Sequence, residues 1–352
     1  MASPDFVILG GGIAGSAVAI ELAERGYSVE LVAANEGSIS LAAGVFVTIM
    51  PENLMQLVKE SMSFYERNKC LKTVISRGSL VIADKRRASR ILSIHSEWGF
   101  PTRIISFSDL EDELRERLVL EDGEELLYTD EFLFDVGKLI ECLYKRMRSL
   151  GVALSRAKVK SLNDISGLAR GSEVIVAAGA YTGLLIGELR EKSLIYRCQA
   201  LTVNCQGISV ILEDLVNGFY SVPVEASSSI IGDGSNEILD SPFKGYVYDL
   251  EDAYTVLEKY ARRVRGAESC YIGRVWSGPC IVGRDGYPLL GRVGDVIVAT
   301  GFNGSGLSLA PGSAALLADY IEGKIRSVPG HLDCSRDLRF KPSKILEPYD
   351  LV

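Results

Sequence analysis

Gly10-x-Gly12-x-x-Gly15 follows the apolar tetrapeptide Phe6-Val7-Ile8-Leu9 without a gap and runs straight into Ile13-Ala14-Gly15-Ser16-Ala17-Val18-Ala19-Ile20. A short, wholly apolar run reads as a strand buried on both faces, and the small residues behind it as a helix that packs closely. Gly26 stops that helix and residues 28–32 form the next strand, which completes a right-handed β-α-β unit. Gly10 permits the tight turn, Gly12 lets a pyrophosphate approach the backbone, and Gly15 lets helix and strand touch. The helix N-terminus then offers free N–H groups and its dipole to phosphates. In this context the motif predicts a dinucleotide site, which by itself fits NAD or FAD. The second strand ends in Ala33-Ala34-Asn35-Glu36, without the usual ribose-binding acid at the strand end. Asn35 or Glu36 from the loop, or water, would replace it.

A chain of 352 residues leaves room for a second domain beside this unit. Residues 52–70 and 84–98 read as helices flanking a strand at 79–82, and the acidic stretch 109–125 as partly helical. A helix at 135–150 leads through Gly151 to a strand at 152–155, and residues 174–179 form another buried strand ending in glycine. Between 197 and 280 the pattern changes to alternating strands at 200–204, 219–224 and 229–232 plus one helix near 249–265, which predicts antiparallel pairing. From 281 the chain returns to glycine-punctuated α/β, with a strand at 296–300, a glycine loop and a terminal helix at 312–322.

Composition removes several function classes. Lys plus Arg is 38 against 46 acids, a net charge of −8, which argues against nucleic-acid binding. Lys85-Arg86-Arg87 and Arg262-Arg263 read as solvated helix faces. The seven cysteines contain no CxxC pair, so neither a zinc site nor a small disulfide framework is expected, and they read as buried thiols. With two histidines, His95 and His331, neither near the motifs, a metal cluster or Ser-His-Asp triad is hard to build. The apolar start lacks a basic flank and no window reaches the ~18–20 apolar residues of a membrane span, so a cytoplasmic location is expected.

Four further segments narrow the cofactor. Ser38-Ile39-Ser40-Leu41-Ala42-Ala43-Gly44-Val45, Val176-Ala177-Ala178-Gly179-Ala180-Tyr181, Asp285-Gly286-Tyr287-Pro288-Leu289-Leu290-Gly291 and Ala299-Thr300-Gly301-Phe302-Asn303-Gly304-Ser305-Gly306-Leu307-Ser308 follow the first motif in order. Together they resemble, nearly end to end, the FAD-dependent amino-acid and amine oxidoreductases that include glycine oxidase, sarcosine oxidase and D-amino-acid oxidase. The resemblance implies an α/β fold: a Rossmann-like FAD-binding domain with a discontinuous parallel sheet (1–76, 136–196 and 281–352), and an antiparallel-sheet substrate domain (77–135 and 197–280). It implies non-covalent FAD held by Gly10, Gly12, Ile13, Ala14, Gly15, Ala33, Ala34, Ser38, Ser40, Ala43, Gly44, Val45, Val159, Ala178 and Gly179. The loop Gly301, Phe302, Asn303, Gly304, Ser305, Gly306, Leu307 and Ser308 would pass under the flavin ring, where helix N–H groups stabilise the negative charge of the reduced form.

On the substrate side, Phe219-Tyr220-Ser221-Val222-Pro223 resembles the family's Tyr-x-x-Pro strand, which implies that Tyr220 hydrogen-bonds a substrate carboxylate; the competing reading is a half-buried strand aromatic. Where relatives carry a carboxylate-clamping Arg after a Trp-x-Gly turn, Trp276-Ser277-Gly278-Pro279-Cys280 places Cys280. Cysteine makes no such ion pair, so Arg274, Arg284 or Arg197 supplies the charge, or the substrate is no simple α-amino acid. Cys280 as a covalent flavin tether is a further alternative, although the tether of sarcosine-type relatives aligns at Gly278. The resemblance implies hydride transfer from the amine-bearing carbon to flavin N5, then imine hydrolysis, with no obligatory protein base. Residues 229–232 lack the lysine that sarcosine-type oxidases place over the flavin, which tilts the reading toward a dehydrogenase. The acceptor is left open among oxygen, a quinone and a carrier protein, as is oligomeric state. The rival readings are a flavin-binding electron-transfer or scaffold subunit of a larger complex, and a nicotinamide-dependent dehydrogenase.

Overall fold

The computed structural model describes residues 3–34, 37–165, 171–205, 207–225, 227–233, 237–340, 345–346, 350 and 352. Phe6–Leu9 is buried along its whole length and lies parallel between Val29–Ala33 and Glu173–Val176. Among the described residues that sheet has six strands, in the order Leu289–Val293, Val296–Thr300, Glu173–Val176, Phe6–Leu9, Val29–Ala33, Ala153–Arg156, with Leu289–Val293 joined antiparallel. Strands covered on both faces have no polar side to alternate with, which is why Phe-Val-Ile-Leu and Val-Ile-Val-Ala-Thr are so uniformly apolar. The helix Ile13–Glu24 is buried from Ala14 to Leu22 and packs against the helix Gly306–Ile321. A Cβ on Gly15 would lie 1.8 Å from the Gly10 carbonyl oxygen, so only glycine lets this helix rest on the turn before it.

The second sheet runs Ile238–Leu239, Ser193–Asn204, Ser228–Gly232, Phe219–Glu225, Ile211–Asp214, Val74–Asp84, Glu124–Phe134, Val45–Phe46, with Tyr271–Gly283 pairing on Ser193–Asn204 and Thr102–Ile104 on Glu124–Phe134. It is antiparallel except where Ile211–Asp214 meets Val74–Asp84 in parallel register. The acidic stretch is partly helical as expected, at Asp112–Arg117, before the long strand Glu124–Phe134, whereas the long strand Tyr271–Gly283 runs straight through the expected Trp-x-Gly turn. Cross-strand pairing with Ser193–Asn204 and the burial of Ile281 outweigh that local turn signal. The helix Leu250–Arg263, whose N-terminal amides at Glu251 and Asp252 donate to the Asp249 carboxylate, covers one face through Ala253, Val256 and Tyr260.

Further expectations are corrected. The cysteines are not all thiols: Cys70–Cys142, Cys198–Cys280 and Cys205–Cys270 are disulfides, and Cys334 is the free one. Two of these bridges tie the paired strands Ser193–Asn204 and Tyr271–Gly283 together, a proximity that sequence separations of 82 and 65 conceal. Arg262-Arg263 is not a solvated pair, because Arg263 is fully buried and bonds Asp214 and Glu124. Breaking such a triad leaves buried charge uncompensated, so its partners belong to the core.

The last helix begins at Gly306 rather than 312, and Pro311 lies inside it. Proline offers no N–H to the carbonyl four residues earlier. That carbonyl, on Leu307, instead accepts the hydroxyl of the buried Tyr65 at 2.9 Å. Tyr65→Phe should therefore orphan it and lower stability by about 1–3 kcal/mol, read as a drop in the denaturant midpoint with the m-value unchanged; an unshifted midpoint would mean that water replaces the hydroxyl.

Candidate active site

One cavity of about 1070 Å³ lies between the two sheets. Gly10, Gly12, Ile13, Ala14, Ala33 and Ala34 form its wall at the first β-α turn, with Ser38, Ala43, Gly44 and Val45 beside them. Val159 lines the far edge, just beyond the strand Ala153–Arg156 rather than inside it, flanked by Lys158 and Lys160. Ala178 and Gly179 follow from the middle of the parallel sheet, and residues 301–307 close the floor. Tyr220 and Cys280 line it from the second sheet.

Three expected residues stand elsewhere. Gly15 serves the packing just described. Ser40 donates its hydroxyl to the Gly37 carbonyl, and Ser308 accepts the Val47 amide at 2.8 Å, so both hold backbone rather than line the cavity. Asn35 and Glu36 lie outside the described residues. Asn303 lines the cavity in the left-handed conformation (φ 51°), held by a hydroxyl from Tyr196 at 2.6 Å and by its own amide on Leu346 O. Asparagine tolerates that conformation better than most side chains.

Two helix N-termini open on the same space. Neither Gly12 nor Ser305, the residues at the starts of Ile13–Glu24 and Gly306–Ile321, caps its helix with a side chain. The first intrahelical bond of the earlier helix is Ser16 N to Gly12 O, so the amides ahead of it have no partner within the helix. The Ser38 segment is pinned in place by Trp276, whose indole N–H donates to Leu41 O at 3.0 Å, and Gly278 leaves room for the Leu41 side chain.

The end against the second sheet is polar and aromatic. The Tyr220 ring lies over its cross-strand neighbour Gly232: a Cβ there would be 2.5 Å from the hydroxyl. Burial, with the nearby Asp233 carboxylate, pushes that hydroxyl up, so it stays protonated at neutral pH. Glu213, opposite Tyr220 on the next strand, also lines the cavity; burial and the adjacent Glu131 carboxyl hold it well above the usual carboxylate range. Sequence reading missed Glu213, whose signal was an acid inside the short apolar strand Ile211–Asp214. Of the arginines considered for a clamp, Arg197 is bound by Glu237 and faces Asp249 and Asp252, Arg284 donates to Phe340 O, and Arg274 lies over Trp276. None lines the cavity. Cys280 is bridged to Cys198, which leaves it no thiol for a tether.

A family model described as FAD dependent oxidoreductase, DAO, matches residues 5–320. The chain belongs to this family. Among solved structures, glycine oxidase from Geobacillus kaustophilus superposes with a TM-score of 0.74 at 22% identity, covering 96% of this chain and 100% of that one. L-proline dehydrogenase from P. horikoshii gives 0.78 at 18%, covering 93% and 95%. NikD, an unusual amino acid oxidase essential for nikkomycin biosynthesis, gives 0.73 at 17%, covering 99% of each. No curated protein matched. At these identities the likeness is one of fold.

The residues present fit FAD. The cavity is lined both by lysines and by two uncapped helix N-termini, and Gly12 sits so close to Gly37 that a Cβ on Gly37 would be 3.0 Å from the Gly12 Cα. Diphosphate and an electron-rich ring are the groups such termini favour.

Proposed function

We propose that this member of the FAD-dependent oxidoreductases oxidises a small amino acid or secondary amine, with release and hydrolysis of the imine. Bound FAD would supply the two-electron acceptor, taking a hydride at N5. The observation that carries the reading is a single cavity shared by the helix N-termini and by Tyr220, Gln199 and Trp276 of the second sheet, room enough for cofactor and small substrate together. The names of the solved neighbours, an oxidase of glycine and a dehydrogenase of L-proline, support it.

In this reading residues 1–76, 136–196 and 281–352 hold the cofactor, and 77–135 with 197–280 supply the substrate wall. Tyr220 orients the substrate with its hydroxyl. No histidine lines the cavity among the described residues, which suits a reaction without an obligatory protein base. The strand Ser228–Gly232 carries no lysine, and Tyr220 fills the space over Gly232, so a dehydrogenase passing electrons to a quinone or carrier is the form we favour. The deciding experiment is anaerobic titration of the yellow protein with amino acids and amines. Bleaching by one of them supports the proposal, whereas bound flavin that none of them bleaches points to an electron-transfer subunit.

Two variants or treatments extend the test. Acid precipitation should leave the colour in the supernatant, since Cys280 is occupied by Cys198; colour in the pellet would overturn non-covalent binding. Tyr220→Phe should lower kcat/KM about ten- to a hundredfold, the worth of one hydrogen bond to a charged group at ~1.4 kcal/mol per tenfold. Unchanged kcat/KM would make Tyr220 a packing residue only.

A further inference from the structure

The substrate end of the cavity has acids and rings in its wall and no cation among the described residues. Glu213 is 8% exposed and lines this end, as does Asp233. Behind Glu213, Glu131 accepts the Thr48 amide, the Thr48 hydroxyl and the Ser79 hydroxyl, which fixes its carboxylate against the Glu213 carboxyl. Tyr220 stands opposite Glu213 on the next strand, and Trp276, Tyr246, Phe243 and Tyr181 line the same cavity. The last three are knit together, since Tyr181 donates to the Tyr246 hydroxyl at 3.1 Å and meets the Phe243 ring edge-on at 5.5 Å. Lys158 and Lys160, the cations in the described lining, stand at the opposite edge beside Val159.

A carboxylate brought here would meet Glu213 and Asp233, and Lys259, the cation behind Asp233, is already paired with that acid at 2.9 Å, a costly arrangement for a further anion. An ammonium would meet a carboxyl oxygen beside the Tyr220 ring, a combination by which proteins bind alkylated amines. We propose that Glu213 is the amine-recognition residue and that the substrate is an alkylated amine without a carboxylate on its reacting carbon. The amine nitrogen donates to Glu213, and the Tyr220 hydroxyl accepts from the same nitrogen rather than donating to a carboxylate. This rests on the amine-oxidoreductase reading above and deepens it.

Two probes of similar size decide it on the flavin-loaded protein: quinuclidine, protonated at neutral pH and too caged to form an imine, and cyclohexanecarboxylate. Calorimetry and the shift of the flavin spectrum should show binding of quinuclidine and not of the acid. Glu213→Gln with full FAD content should weaken quinuclidine about tenfold or more. Equal or tighter binding of the carboxylate, binding of neither, or an unchanged quinuclidine affinity in the variant would each overturn the assignment. If the variant does not fold, the two probes on the wild-type protein still decide. Bleaching by glycine or L-proline but not by methylamine or pyrrolidine keeps the amine-oxidoreductase reading and overturns this one. Quinuclidine binding without bleaching by any of the four keeps Glu213 as an amine-binding residue and overturns the oxidation of amines at it.

Discussion

Gly12→Val is expected to give a folded but colourless protein. Gly12 stands at the start of the Ile13–Glu24 helix with φ −76° and ψ −173°, a conformation open to any residue, so backbone strain is not the reason. The reason is space. Its Cα faces the cavity beside Gly37, and a branched side chain there would fill the gap between the helix N-terminus and the diphosphate. Affinity for FAD should fall at least about a thousandfold, ~4 kcal/mol, with the far-UV spectrum retained. A variant that purifies with one flavin per chain would remove the diphosphate from this turn. Gly15→Val is the informative contrast, because its Cβ would overlap the Gly10 carbonyl and the protein should fail to fold at all.

The second large effect is expected from the bridges. Without reductant, denatured protein should yield one alkylatable thiol, that of Cys334, and after reduction all seven. Removing Cys198–Cys280, which closes a sequence separation of 82, should cost about 4 kcal/mol in the chain-entropy account. For a chain this long that is a fall in Tm on the order of 10 °C. Calorimetry of the Cys198→Ser, Cys280→Ser double variant reads it directly. Seven thiols in untreated protein, or an unshifted Tm, would contradict the pairing. Bridges of this kind persist in oxidising compartments and in the intracellular proteins of hyperthermophiles.

Local signals made the parallel-sheet part of the molecule legible. Phe6–Leu9, the glycines after it and the small-residue helix each state their roles within a few residues, and the Ser38, Gly179 and Gly301 segments recur in order. What stayed hidden depends on pairing between distant strands. Cys198 and Cys280 meet because Ser193–Asn204 and Tyr271–Gly283 are neighbours, and nothing in either segment names the other. Arg263 reads as a surface residue until Asp214 and Glu124 arrive from two other strands. Pro311 reads as a helix breaker because the hydroxyl that replaces its missing amide belongs to Tyr65, far earlier in the chain.

The order in which the wall of the cavity is assembled constrains how this protein can be made. Its first turn is complete by Ala14, yet the floor is residues 301–307, and the opposite wall waits for Trp276 and Cys280. A ribosome that has finished the glycine motif still has to reach residue 307 before the last lining residue of the cavity exists. The cavity is therefore closed only after residue 307 has been made, and a fragment that ends before residue 301 lacks its floor. A partner fragment added later would have to restore both sheets at once, which makes cofactor uptake a sensitive report of whether a split or permuted version of this chain has come together.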